Sequence, residues 1–156
     1  MKQKQNIAIA VATGVILVAV ILLVAFYLQK PMNPASTPTV STIVDGNFKV
    51  NSDSYVYYNF TVYSGPSNAK ISDTVQGTFN VSDGQEKTIR VYIMDGANFE
   101  DWKNGLDSNK YYDSGKSSAG SVTATLSSSG TYYLVFDNTY SAISKSVTTQ
   151  VDYAHW

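Results

Sequence analysis

The sequence predicts an all-β protein: an antiparallel, jelly-roll-like β-sandwich preceded by one N-terminal transmembrane α-helix. Three observations support this fold class. Residues 7–26 form an uncharged apolar run that is long enough to cross a bilayer. Further along the chain, apolar and polar residues alternate with period 2 in several short runs. Pairs of turn-forming residues that contain glycine separate these runs.

The apolar run comes first in the chain. At about 1.5 Å per residue, residues 7–26 would make a helix of roughly 30 Å, the thickness of a bilayer core. Lys2 and Lys4 precede the run and Lys30 follows it, a charge balance that favours a cytoplasmic N-terminus. We therefore expect a single-pass membrane protein that contacts the bilayer through residues 7–27 and carries its C-terminal domain outside the cytoplasm.

Two other interpretations of this run are weaker. A cleaved signal peptide normally has a shorter apolar stretch and a small-residue cleavage site, whereas residues 27–31 read Tyr-Leu-Gln-Lys-Pro. A buried helix of a soluble protein would show a polar face, and the run has none. An uncleaved signal anchor fits the pattern best.

The remaining chain divides by composition. Residues 31–42 carry three prolines among serines and threonines, which is typical of a stiff, extended linker. The predicted organisation is therefore a cytoplasmic tip and anchor at 1–30, a linker at 31–42 and an extracytoplasmic sandwich at 43–156. From Pro31 onward the sequence has 8 Lys/Arg and 12 Asp/Glu, a net charge of −4 that does not attract an anionic bilayer surface.

The predicted strands share period-2 alternation and are rich in Val, Thr and Tyr, as in half-buried antiparallel sheets. One alternating set of positions comprises Val56, Tyr58, Phe60 and Val62, then Val75, Gly77, Phe79 and Val81, then Ile89, Val91 and Ile93, then Val122, Ala124 and Leu126, then Tyr132, Leu134 and Phe136, and last Val147, Thr149, Val151 and Tyr153. The turn pairs are Gly65-Pro66, Asp83-Gly84, Asp95-Gly96, Asn104-Gly105, Ser114-Gly115 and Ser129-Gly130. After residue 30, a helix longer than a turn is expected only around Asn98 to Trp102.

Composition argues against several classes of function. A net charge of −1 with no Lys/Arg-rich stretch argues against a nucleic-acid partner. The sequence has no cysteine, which excludes disulfides, thiolate metal sites and cysteine nucleophiles. His155 is the single histidine, so a Ser-His-Asp triad or a multi-histidine metal site is nearly excluded. We expect no cofactor and no enzymatic activity.

Four segments of the C-terminal half carry a family resemblance. They are NFEDWKNG at 98–105, YYDSGK at 111–116, GTYYLVFDNTYS at 130–141 and KSV at 145–147. In order and spacing they resemble the GOLD-type β-sandwich of the emp24/gp25L/p24 class, in its prokaryotic variety. The resemblance implies a lumenal or extracytoplasmic recognition module without catalytic residues.

The resemblance has limits. Eukaryotic members select cargo for vesicles and place the sandwich before a coiled coil and a C-terminal membrane span. Here the predicted anchor comes first, and the disulfide of those members is missing. The resemblance therefore implies a binding sandwich and not a cargo receptor.

Candidate binding residues cluster in and after the expected helix. Trp102, Asn104, Tyr111 and Tyr112 form the candidate ligand or partner surface, with Trp102 able to stack on a sugar or a partner. The competing interpretation, favoured for Trp102, is a ring that plugs one end of the sandwich. For Tyr111 and Tyr112, binding and edge packing are equally compatible with the sequence. Asn59 and Asn80 begin N-x-[ST] sequons and are predicted to face solvent.

Acidic residues also concentrate between 95 and 113. They are Asp95, Glu100, Asp101, Asp107 and Asp113. Their oxygens are suitable Ca²⁺ ligands, but the spacing does not match an EF-hand and lysines interrupt it. Turn formation explains these residues better, and no metal site is assigned.

Three functions remain open. The favoured one is an accessory module that contacts another membrane or envelope protein, with self-association left open. The second is a filament subunit that donates the segment 34–44 to a neighbouring sheet. The third is a carbohydrate-binding module, which would present a planar row of exposed Tyr and Trp.

Overall fold

The computed structural model describes residues 37–63, 73–82 and 86–155. These residues belong to one unit, Thr37–Trp156. In chain order the elements are β1 (Thr39–Val50), β2 (Tyr55–Val62), β3 (Asp73–Val81), β4 (Arg90–Asp95), α1 (Gly96–Lys103), β5 (Tyr112–Asp113), β6 (Ala119–Leu126), β7 (Gly130–Asp137) and β8 (Lys145–His155).

Some predictions concern other parts of the chain. The predicted membrane span at 7–26 and the turns at 65–66 and 83–84 lie outside the described residues. Within the described ranges, no helix has the length and apolar character needed to cross a membrane.

The strands form two four-stranded antiparallel sheets, which confirms the predicted β-sandwich. Sheet A has the order β1-β8-β3-β6, and sheet B has the order β2-β7-β4-β5. The first four strands alternate between the sheets, as they do in double Greek-key jelly rolls. Neighbours in each sheet are therefore mostly distant in sequence, and long-range pairing holds the fold together.

The core lies between the sheets and contains the predicted alternating positions. Val75, Ile93, Leu126, Leu134 and Phe136 are fully buried there. Because successive side chains of a strand point to opposite faces, alternation in the sequence becomes one apolar face on each sheet. Each fully buried Val or Leu stabilises the fold by about 1.5–3 kcal/mol relative to exposure.

β1 starts earlier than the sequence analysis placed the domain. The strand begins at Thr39, inside the range predicted as linker, and pairs with β8 from Thr39↔His155 to Val50↔Lys145. Pro38 immediately precedes it, where a missing N–H costs the sheet nothing. Much of the segment suggested for donation to a neighbour is thus already paired within its own chain.

The helix expected around Asn98 to Trp102 is present as α1. Asp95 Oδ1 accepts a hydrogen bond from Asn98 N at 2.9 Å, which satisfies a free N–H of the first turn. At the other end Asn104 is the C-cap, and Gly105 follows with φ 72°. Two pairs predicted as turns therefore begin and end the helix.

Candidate functional site

The outer face of sheet B is covered by α1. Phe99 stacks on Tyr133 with ring centroids 4.1 Å apart and an interplanar angle of 11°. Trp102 contacts Tyr55 edge-on at 4.9 Å. We call this group the α1 cluster; its members are Tyr55, Tyr92, Met94, Phe99, Trp102, Tyr133 and Val135. It forms a second apolar layer outside the main core.

Trp102 is a packing residue of this cluster. Its ring meets Tyr55 at 78° and Tyr92 at 64°, so these three rings do not form a planar platform. The plane of a sugar needs a flat, accessible ring face, and Trp102 is half-buried. Trp102 thus belongs to α1 and packs against the outer face of sheet B, away from the end of the sandwich where the plug interpretation placed it.

Asn104 caps the C-terminal end of α1. Its Nδ2 donates to the Glu100 carbonyl at 2.8 Å, and its backbone N–H donates to the carbonyls of Glu100 and Asp101 at 3.1 Å each. The side chain is exposed, but its amide N–H already bonds the helix. Asn104 therefore caps the helix on which Trp102 lies.

Tyr111 and Tyr112 have different surroundings. The Tyr112 ring packs against the main core, and its hydroxyl donates to the Ser121 carbonyl at 2.8 Å. Burial, with a smaller contribution from Asp113, raises the pKa of Tyr112. Tyr111 is 39% exposed and lies edge-on to Tyr132 at 5.3 Å. The Tyr112 ring is thus packed against the core, whereas Tyr111 stays accessible.

Tyr111 borders a cavity of about 350 Å³ at the start of α1. The Asp95 carboxylate also lines it but is committed to the helix, accepting bonds from Asn98 N and Nδ2 at 2.9 Å. The Tyr111 hydroxyl reaches Asp95 Oδ2 at 3.5 Å. The remaining lining residues are Gly96, Ala97, Ser128, Ser129, Gly130, Thr131 and Tyr132.

The outer face of sheet A, in contrast, is an open polar surface. Strand register aligns its side chains in rows across all four strands. The rows are Thr42–Asp152–Gln76–Thr123, Asp45–Gln150–Thr78–Ser121 and Asn47–Thr148–Asn80–Ala119. We call these twelve residues the sheet A face. All are exposed except Asp152, which is half-buried.

Two shallow depressions of about 420 and 480 Å³ lie on the sheet A face and share Thr78 and Gln150. Sequence analysis missed this surface. Its polar positions were visible as the second half of each alternation, but the alternation does not show which strands become neighbours. Each strand contributes only three residues to the sheet A face, so the face cannot be recognised from any one strand in the sequence.

The two sequon asparagines are on different sheets. Asn59 lies in β2 of sheet B, and Asn80 lies in β3 within the sheet A face. Both are exposed, as the strand parity predicted.

Buried acidic groups have protein partners. Asp137 Oδ1 accepts bonds from Thr139 N at 2.9 Å and Thr139 Oγ1 at 2.7 Å, and Asp73 accepts from the Tyr153 hydroxyl. Burial and then the nearby Asp137 carboxylate raise the pKa of Tyr92 to about 12. Among the residues that the structure describes, no three His, Cys, Asp or Glu side chains come together as a metal-binding group.

Comparison with solved structures finds remote likenesses. The Yersinia pseudotuberculosis-derived mitogen is 7% identical, with TM-score 0.46, covering 73% of this chain and 85% of that chain. BuGH86wt in complex with neoagarooctaose is 8% identical, with TM-score 0.40, covering 76% of this chain but 18% of that one. The CBM36-1 domain of a multidomain xylanase from the hindgut metagenome of Trinervitermes trinervoides is 12% identical, with TM-score 0.39, covering 75% and 95%.

Comparison of sequences gives a clearer result. No curated protein matches the chain. The model of the emp24/gp25L/p24 family/GOLD matches residues 66–155. This range contains β3 to β8 and α1, and with them the four segments on which the resemblance was based. Since the match spans more than half of the chain, the protein belongs to the emp24/gp25L/p24 family/GOLD.

Proposed function

We propose that the protein is a membrane-anchored, non-catalytic binding module. In this proposal residues 7–26 cross the bilayer, and the sandwich outside the cytoplasm contacts another membrane or envelope protein. Family membership supports an interaction role, because GOLD domains of this family are interaction modules. The net charge of −4 from Pro31 onward keeps the sandwich from lying on an anionic bilayer.

The observation that carries the proposal is the contrast between the two outer faces. α1 occupies the outer face of sheet B with an aromatic cluster, whereas the sheet A face is open. The paired backbone of a β-sheet holds its side chains at fixed positions, so less conformational freedom is lost when a partner binds. The sheet A face is therefore the proposed contact surface.

The chemistry of that face defines the contact. Its central rows present hydroxyl and amide groups, with Asp45 and Asp152 as its acidic members. Recognition would consist mainly of hydrogen bonds, about one per 100–200 Å² of interface, with water between the surfaces. We therefore expect a reversible complex with a polar surface, and no tight apolar docking.

The test uses the full chain in its native membranes. Gentle detergent extraction should recover one stoichiometric partner with the wild type. The double variant Thr78→Arg/Gln150→Arg places two long cations at the centre of the sheet A face and should abolish that recovery. The matched control Ala142→Arg adds a cation on an exposed loop between β7 and β8 and should retain the partner.

Circular dichroism must show that each variant is folded. A partner that stays bound to the double variant would refute the sheet A face as the contact. If the wild type extracts alone, the protein is not a stable accessory subunit.

A further inference from the structure

Four strands lie at sheet edges, and three of them are protected against pairing with another strand. β1 has a register shift between Thr42 and Val44, a glycine at φ 146° and the charged residues Asp45 and Lys49. β5 has two residues. On β6, the Ser121 carbonyl already accepts a hydrogen bond from the Tyr112 hydroxyl at 2.8 Å. Bulges, charges, shortness and cover are the usual means of blocking strand addition.

Within the described ranges, β2 has none of these protections. Its sequence YVYYNFTV contains no charge, proline or glycine, and all eight residues pair with β7 in unbroken register. Among the residues that the structure describes, no strand pairs with its other edge. Such an edge presents a row of N–H and C=O groups that favours the addition of another strand.

We propose that β2 pairs with β2 of a second copy of this chain, antiparallel, around a two-fold axis at Asn59. This inference is independent of the sheet A face, which stays open in the dimer. Sheet B of the two copies would form one continuous eight-stranded sheet. The strand is uncharged, so two copies can approach without opposing like charges.

The register follows from strand geometry. Residues directly opposite one another in antiparallel strands point to the same face, so a symmetric pairing must be centred on a residue. Centring on Asn59 places aromatic or β-branched residues opposite one another on each face. The facing pairs are Tyr55–Tyr63 and Tyr57–Thr61 on the outside, and Val56–Val62 and Tyr58–Phe60 on the core side.

These pairs suit a strand junction. Aromatic and β-branched cross-strand pairs each stabilise a sheet by roughly 0.2–1 kcal/mol relative to alanine. Tyr57, 49% exposed, and Tyr63, 71% exposed, are among the most accessible large rings of the described chain. A register centred on Tyr58 instead would place Ser54 opposite Val62, a polar residue against a core position.

The absence of cysteine from the sequence makes the register directly testable. The test uses the full-length chain in mild detergent. Asn59→Cys brings two thiols together at Cα separations of about 4.5–5.5 Å, within the range a disulfide needs. We expect a covalent dimer on mild oxidation, seen on a non-reducing gel.

Thr61→Cys is the matched control, because it lies on the same face of the same strand and is also exposed. In the proposed register its symmetry mate lies four residues away along the strand, about 13 Å, too far for a disulfide. Equal cross-linking of the two variants would indicate random collision and refute the register. No cross-link with Asn59→Cys would refute the dimer.

A second measurement does not depend on cross-linking. Asn59→Lys opposes two ammonium groups at the axis and should weaken the dimer roughly fivefold in sedimentation equilibrium. Asn80→Lys, an equally exposed change on the sheet A face, should leave the dimer unchanged. A monomeric wild type, or a dimer sensitive only to Asn80→Lys, would overturn the proposal.

Discussion

At the scale of single residues, aromatic side chains pack α1 against sheet B. Phe99 is 3% exposed although it belongs to a surface helix, because it lies on Tyr133 and contacts Tyr57 at 5.1 Å. Trp102 extends this packing to Tyr55 and Tyr92. The helix has eight residues, too few to be stable alone, so these contacts determine whether it forms.

Trp102→Ala should therefore destabilise the protein. Removing a partly buried indole from three aromatic partners should lower the free energy of unfolding by about 2–3 kcal/mol. Urea titration followed by circular dichroism measures this change. Leu106→Ala, at a side chain that is 61% exposed, is the control and should stay within about 0.5 kcal/mol of the wild type.

The same pair of variants separates packing from binding. If Trp102→Ala had the stability of the wild type and lost affinity for a partner, the indole would be a contact residue and the α1 cluster would not depend on it.

At the scale of elements, two glycines allow close approach inside sheet A. A Cβ on Gly77 would lie 2.2 Å from the Gln150 carbonyl oxygen and 2.6 Å from the Val151 Cα, both backbone atoms of β8. A Cβ on Gly120 would lie 2.9 Å from a carbon of the Phe79 ring. Backbone in the middle of a sheet cannot move without breaking hydrogen bonds, whereas a ring can tilt.

Gly77→Ala and Gly120→Ala should consequently differ. We expect Gly77→Ala to disrupt the β3–β8 pairing and to cost about 3 kcal/mol or more, and Gly120→Ala to cost about 1 kcal/mol. Thermal unfolding of the two variants in parallel shows which substitution lowers the stability more. An equal loss of stability in the two variants would mean that the β8 backbone shifts as easily as the Phe79 ring and would contradict this prediction.

At the scale of the whole molecule, buried phenols couple the fold to alkaline pH. Burial is the first cause of the raised pKa of Tyr92, Tyr132 and Tyr153, which belong to different strands. For Tyr153 the hydrogen bond to Asp73 adds to the effect. Folding favours the neutral phenol at each site, so the folded protein holds these protons to higher pH than the unfolded chain does.

The pKa of Tyr92 defines the pH range over which its contribution to stability is lost. Its pKa is about 12 in the folded protein against 10.0 in the reference state, so its contribution is complete below pH 10 and is lost as pH rises toward 12. Urea midpoints between pH 9 and pH 12 should fall less steeply for Tyr92→Phe than for the wild type. Parallel curves for Tyr92→Phe and the wild type would contradict this coupling.

Much of this architecture was readable from the sequence for a physical reason. A strand alternates its side chains between two faces, so Val75, Phe79 and Val81 identify a buried face without knowledge of any partner strand. Asp95-Gly96 and Asn104-Gly105 were predicted as turns, which are local signals, and they lie at the two ends of α1. The N-terminal anchor and its orientation stay predictions that rest on apolar length and flanking charge.

The candidate site was less predictable, because it depends on contacts between distant segments. Tyr133 alternates with the core residues Tyr132 and Leu134, yet it lies under Phe99, since alternation does not report what covers an outer face. The sheet A face needs β1, β8, β3 and β6 side by side, an order set by pairing across the whole domain. The sequence by itself determined the alternating faces, the turns and the helix ends, because those depend on local geometry. The tertiary structure alone decided strand order, the position of α1, and which surfaces and edges stay open, because those depend on which distant surfaces pack together.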